Sequence, residues 1–153
     1  MKISAQDEYG IRVLLRIARS DAEEGMSLPQ LSEAEGISSP YMAKITRALR
    51  LGGFIQSTRG HKGGYILAMN PRDIKVNDVL KSLGGALFDE GFCGVHSGTS
   101  DLCTNSVDCS VRSLWRIIQQ NLDQVLDNIS LQDLIGTEVN TSTHLQEKVG
   151  QIN

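Results

Sequence analysis

Three cysteines, Cys93, Cys103 and Cys109, fall within one short polar stretch, and the chain has no others. Nine residues separate the first two and five separate the second and third. The intervening G-V-H-S-G-T-S-D-L and T-N-S-V-D are rich in glycine and hydroxyls and offer almost nothing to bury. A free cysteine ordinarily behaves as a small buried hydrophobe, so three in a loop that cannot build a core need another reason to be together. Soft thiolates gathered by a loop suit a soft metal centre, zinc or iron–sulfur. The plainer readings are a disulfide with one thiol left over, or three unrelated thiols. A disulfide needs an oxidising compartment, and M-K-I-S-A-Q-D-E-Y-G does not read as a secretory signal. The odd count also argues against a purely structural disulfide set. No C-x-x-C pair is present, so a zinc knuckle of the usual spacing is unsupported. His96, inside the loop, is a candidate further ligand; otherwise it is a solvated loop histidine.

A second kind of chemistry lies in the charges. The net charge of −3 hides an asymmetry. Residues 1–75 carry eleven Lys/Arg against eight Asp/Glu, a balance of +3, whereas residues 76–153 carry four against ten, a balance of −6. Between 36 and 75 the cations Lys44, Arg47, Arg50, Arg59, Lys62, Arg72 and Lys75 face only Asp73. A local basic block in an acidic chain is the footprint of a phosphate-binding face, against the alternative of an ordinary solvated surface.

The elements around that block read as a winged helix. A helix is expected from Ser4 to about Arg19, with Ser4 and Asp7 as a capping box and Ile3, Leu14, Ile17 and Ala18, with Tyr9 and Val13, as its apolar stripe. Ser27 caps a short helix, L-P-Q-L-S-E-A-E, with Pro29 in its first turn; Gly36 ends it and Ile37 plugs the core. S-S-P-Y opens a third helix, with Met42, Ile45, Ala48 and Leu49 inward and Tyr41, Lys44, Arg47 and Arg50 outward, ended by Gly52-Gly53. Helix, glycine-bearing turn and basic helix make the helix-turn-helix arrangement, whose second helix enters the major groove. Ser38, Ser39, Pro40, Tyr41 and Lys44 would meet base edges or nearby phosphates, and Arg47 and Arg50 the backbone. Two short strand-like runs, F-I-Q-S-T and G-Y-I-L-A, flank R-G-H-K-G-G; this glycine-rich tip, with Arg59, His61 and Lys62, fits a narrow minor groove.

The acidic half predicts a two-turn helix ended by Gly84-Gly85, the cysteine loop, and a long helix from Ser110 to about Asn128. Val111, Leu114, Trp115, Ile118, Leu122, Val125, Leu126 and Ile129 recur along it at helical spacing. So apolar a helix on so small a globule predicts a dimer formed by crossing helices; the alternative is packing onto the first helix. N-I-S-L-Q-D-L-I reads as a short helix capped by Ser130 with Asp133. After Gly136 the chain turns polar and reads as a mobile tail. The expected partition is therefore 1–75 winged helix-turn-helix, 76–109 short helix and cysteine loop, 110–136 dimerisation helix and short terminal helix, and 137–153 polar tail. No apolar run approaches membrane-spanning length, and a cytoplasmic location without membrane association is expected.

M-K-I-S, G-I-S-S-P-Y-M, L-G-G-F-I, T-R-G-H-K-G-G-Y, the cysteine loop, S-L-W-R and N-I-S-L-Q-D-L occur in order over residues 1–135. In that order they resemble the bacterial iron–sulfur winged-helix transcriptional regulators of the IscR/NsrR kind. The resemblance implies a homodimeric regulator, by expectation a repressor, that binds a pseudo-palindromic operator in double-stranded DNA. Its affinity would be set by an iron–sulfur cluster sensing redox state, nitric oxide or iron supply. Cys93, Cys103 and Cys109 resemble the three cluster thiolates, although the first gap is longer than the common pattern. IscR-like members place a histidine three residues after the last cysteine; here that position is Arg112, which cannot ligate. NsrR-like members use a carboxylate near the N-terminus of the partner subunit, and Glu8 stands at that position, otherwise serving as a first-turn acid. The resemblance to this ligand set favours a 4Fe-4S over a 2Fe-2S cluster.

Two other classes compete. The same scaffold could sense oxidants or metals through bare thiols or zinc, or the chain could be a small iron–sulfur electron carrier, which would need neither basic helix nor wing. No nucleophile–base–acid constellation, phosphate-binding glycine fingerprint or hydrolytic carboxylate pair is present, so no enzyme is expected.

Overall fold

The structure is a computed structural model and describes residues 3–20, 24–58, 63–89 and 91–151. Helix α1 (Ala5–Ala18) begins at the expected capping box: the Asp7 amide donates to Ser4 Oγ at 3.1 Å and the Ser4 amide donates to Asp7 Oδ2 at 3.0 Å. Helix α2 (Leu28–Glu35) is capped the same way by Ser27 and Gln30 and stops at Gly36, whose φ of 66° suits glycine. Helix α3 (Ser39–Leu51) follows after two residues. Strands β1 (Ile55–Ser57) and β2 (Tyr65–Leu67) pair antiparallel, with Ile55 opposite Leu67 and Ser57 opposite Tyr65. Tyr65 also exchanges backbone hydrogen bonds with Met26, at 2.8 and 3.1 Å, which fastens the hairpin to the loop before α2.

Helices α1–α4, where α4 is Val76–Leu83, close one core. Val13, Leu14, Leu31, Met42, Ile45 and Leu49 are fully buried in it. Each such side chain contributes about 1.5–3 kcal/mol relative to exposure. Thr46 is buried as well, its hydroxyl donating to the Met42 carbonyl at 3.0 Å. Gly10, in the middle of α1, is where α4 comes closest: a Cβ there would collide with the Leu83 side chain. Across the α1–α2 contact, Glu35 is buried and each carboxylate oxygen is held by one arginine, Arg12 Nε at 2.7 Å and Arg16 Nε at 2.9 Å.

The remaining elements are a helical turn α5 (Phe92–Val95), the long helix α6 (Ser110–Asp127), a 3-10 turn (Leu131–Leu134) and helix α7 (Glu138–Gly150). After α6 the chain returns to the winged-helix core. The Leu131 amide donates to the Ile74 carbonyl at 2.8 Å, the Val76 amide donates to Ile129 at 2.9 Å, and Leu131 is buried.

One expectation is corrected here. Residues 137–153 read as a mobile polar tail, but 138–150 form a helix. Thr137 caps it, accepting from the Asn140 amide at 3.4 Å. Asp133 of the 3-10 turn then grips it, pairing with His144 Nε2 at 2.8 Å and Lys148 Nζ at 2.7 Å. A cap, the His144 contact and the Lys148 ion pair order this helix without any buried residue, so no apolar period announces it.

Candidate DNA-binding face and thiol centre

Helices α2 and α3 and the tight turn at Gly36 set α3 with one face in the core and the other outward. Ser38, the N-cap, makes no side-chain capping bond, and Ser38, Ser39 and Pro40 are exposed. Lys44, Arg47 and Arg50 follow along the same open face, exposed and without an ion pair to any described residue. Tyr41 departs from expectation. It is half-buried, edge-on to Tyr9 of α1 with ring centroids 6.0 Å apart, so part of its ring belongs to the α1–α3 contact. The wing tip, with Arg59, His61 and Lys62, lies outside the described residues.

The three cysteines converge. Cys93 sits on α5, Cys103 in a turn closed by the Ser106 amide donating to its carbonyl at 2.9 Å, and Cys109 at the N-cap of α6. All three are reduced, partly exposed, and line one cavity of about 110 Å³ together with Asp101, Asn105 and Arg112. The Arg112 amide donates to Cys109 Sγ at 3.4 Å, and its guanidinium donates to the Ser106 carbonyl at 3.0 Å. The start of α6 thus directs a backbone donor at one sulfur, where the helix dipole favours negative charge. The sulfurs share a cavity but are not closed to coordination distance: among the described residues no group of three or more His, Cys, Asp or Glu side chains is tight enough to hold an ion. The donor set, three soft thiols and a cation at one cavity, fits a cluster or a zinc ion by type.

The two candidates for a further ligand lie elsewhere in the protomer. His96 is absent from the cavity lining. Its ring stacks on Phe92 at 4.0 Å and its Nδ1 is bonded to the Phe92 carbonyl at 2.9 Å. Glu8, in the first turn of α1, has a side chain 60% exposed and lies 3.9 Å from Arg12. Sequence reasoning named Arg112 but not the part played by Asp101 and Asn105, which only loop closure reveals.

Helix α6 rests on α4 by its polar edge. Asn77, buried on α4, donates to Asp123 at 3.0 Å and Asp127 at 2.7 Å; Lys81 pairs with Asp123 at 3.1 Å; and the Phe88 amide donates to Gln119 at 3.0 Å. Burial alone would push the Asp123 carboxyl up, but the bonds from Asn77, Lys81 and Gln119 outweigh it and hold the carboxyl below the usual range. The apolar edge carries Val111, Leu114, Trp115 and Ile117, all exposed. No residue of α6 is buried.

Comparison with known proteins agrees with this arrangement. The Rrf2 family model, described as iron-dependent transcriptional regulator, matches residues 3–137. Protein rrf2 of Nitratidesulfovibrio vulgaris is 33% identical over 136 residues, 88% of this chain and 87% of that protein. Among solved structures, T. potens IscR superposes with a TM-score of 0.67 at 32% identity, covering 88% of this chain and 86% of the other. CymR, the global cysteine regulator of B. subtilis, superposes with a TM-score of 0.67 at 28% identity, covering 88% and 96%.

Proposed function

The chain belongs to the Rrf2 family of transcriptional regulators, and on that premise we propose that it is a homodimeric repressor whose DNA affinity is set by an iron–sulfur cluster held by Cys93, Cys103 and Cys109. The observation that carries this reading is the convergence of all three thiols on one cavity beside Arg112, on a winged-helix protein with an open basic helix. Bound there, a cluster would supply a centre reactive toward oxidants and nitric oxide.

The chain's own residues do the rest. Ser38, Ser39, Pro40, Tyr41 and Lys44 present the start of α3 to base edges in the major groove, and Arg47 and Arg50 reach phosphates. Arg59, His61 and Lys62, which fall between β1 and β2 in the sequence, supply the cations for the minor groove. The apolar edge of α6 packs on its two-fold copy, so the operator is a pseudo-palindrome. Glu8 of the partner subunit completes the ligand set. Its exposure and the 3.9 Å separation from Arg12 leave the carboxylate free to turn away. Were Glu8 to hold the cluster, its gain or loss as a ligand would move α1, and with it α3, through the Tyr9–Tyr41 contact, the differential contact that a two-state switch requires. His96 is the alternative fourth ligand. Three thiolates and one oxygen can hold either a 4Fe-4S or a 2Fe-2S cluster; the resemblance of this ligand set to that of NsrR-like members favours 4Fe-4S.

A second reading keeps the scaffold and removes the iron, with partly exposed thiols sensing oxidants or binding zinc; the likeness to CymR, the global cysteine regulator of B. subtilis, favours it. Anaerobic reconstitution with iron and sulfide counting, followed by Mössbauer spectra before and after nitric oxide, separates the two. A brown protein with stoichiometric iron and sulfide supports the cluster; a colourless protein with stoichiometric zinc or reversible thiol oxidation supports the alternative.

A further inference from the structure

A second cavity, larger than the one at the cysteines, lies elsewhere in the fold. A groove of about 600 Å³ opens where Arg72 and Lys75, from the segment before α4, meet the 3-10 turn and the α7 helix that follows it. Its volume lies within the usual range for small-molecule sites. Arg72, Lys75 and Lys148 line it, with His144 beside them. One carboxylate, Asp133, stands against them, and both of its oxygens are occupied: Oδ1 by His144, Oδ2 by Lys148, the Ser130 amide and the Ser130 hydroxyl. Arg72 and Lys75 have no ion pair to any described residue. The groove therefore holds an excess of positive charge in an acidic protein, with neutral donors from Gln132, Asn140 and Thr141 around it.

We infer that this groove binds a small oxyanion, a phosphate- or carboxylate-bearing metabolite, bridging Arg72 and Lys75 on one wall and α7 on the other. The groove shares no lining residue with the thiol cavity and none with α3. Its occupant would tie α7 to the segment that leads from the hairpin into α4, and so bias the hairpin. This also accounts for a helix that buries nothing: α7 supplies a polar wall.

The test uses the full-length protein without DNA. Inorganic phosphate and citrate are titrated by calorimetry at constant ionic strength, and Arg72→Gln and Lys75→Gln are compared with wild type. Arg72 is exposed, so its loss leaves the fold intact, which far-UV circular dichroism checks. Saturable binding of either anion, weakened about tenfold or more by each substitution, equivalent to roughly 1.4 kcal/mol, is the expected result. Absence of saturable binding, or binding indifferent to both substitutions, overturns the proposal. So does a third outcome: no anion bound by free protein, with Arg72→Gln weakening only operator binding, in which case these cations serve the DNA backbone. None of these readouts depends on the cluster, so failure here leaves the sensing reading standing.

Discussion

Residues 3–83 and residues 84–151 treat apolar side chains in opposite ways. The first region folds its apolar residues into one core shared by α1–α4, and caps its first two helices with reciprocal hydrogen bonds. The second packs α6 through polar contacts and buries few apolar groups, Phe88, Ile129 and Leu131, while leaving others outside. Asn77, Asp123 and Asp127 meet between α4 and α6, while Leu114 and Ile117 are exposed and Val107 is 97% accessible. A region that closes on itself is a platform; one that shows its apolar side is finished by something else. In our reading the missing pieces are a second subunit and a cluster, which places the responsive half of the molecule where single-chain packing is weakest.

The largest effect that could break this contrast comes from the thiols. Replacing any one of Cys93, Cys103 or Cys109 by Ala is expected to abolish a stable cluster and leave the winged-helix half folded, read by visible absorbance against far-UV circular dichroism. Near wild-type absorbance in two of the three variants would mean the thiols do not act as one unit. Next is α6. Leu114→Asp with Ile117→Asp should weaken self-association at least about 100-fold, roughly 2.7 kcal/mol, because a carboxylate would be buried unpaired. Sedimentation velocity checks this, and a dimer of unchanged affinity would assign the apolar edge another role.

Smaller effects sharpen the platform side. Gly10→Val should lower stability by about 1–3 kcal/mol, since the added methyls meet Leu83; the urea midpoint should fall while the loaded dimer keeps its spectrum. The smallest expected effect concerns α7. Burial pushes the Asp133 carboxyl up, but hydrogen bonds from Lys148, the Ser130 amide, His144 and the Ser130 hydroxyl prevail and hold it well below the usual carboxylate range. A depressed carboxyl stabilises the folded form above its unfolded value near 4, and that contribution fades as pH falls further. Amide exchange, corrected for intrinsic rates, should show α7 losing protection progressively as pH falls below about 4 while α3 keeps it.

The platform was legible in the sequence because its signals are local. Ser4 with Asp7, Ser27 with its short helix, Gly36 and the Met42–Ile45–Leu49 stripe each declare themselves within one or two turns, and the structure has them in place. Thr46 was missed because a buried threonine satisfies itself against its own helix. Tyr41 read as outward because periodicity is blind to Tyr9, a residue of another helix. The Glu35 contact was hidden similarly: Arg12 and Arg16 are four apart on one face, but their shared partner lies on α2. Helix α7 was illegible for another reason, since its order comes from Asp133 rather than from an apolar face. At the thiol cavity, residue types named the chemistry while loop closure supplied the neighbours.

The central claim is that the unfinished half controls the platform. The direct measurement is affinity for a selected operator, cluster-loaded against cluster-free, at one fixed salt concentration because the phosphate term is strongly salt-dependent, for wild type and Glu8→Ala. The account predicts at least about a tenfold difference between the two wild-type forms, some 1.4 kcal/mol, and a ratio near one for Glu8→Ala. Equal affinities for the two wild-type forms would contradict the account; a wild-type ratio preserved in Glu8→Ala would remove Glu8 from the switch and direct the same test to His96.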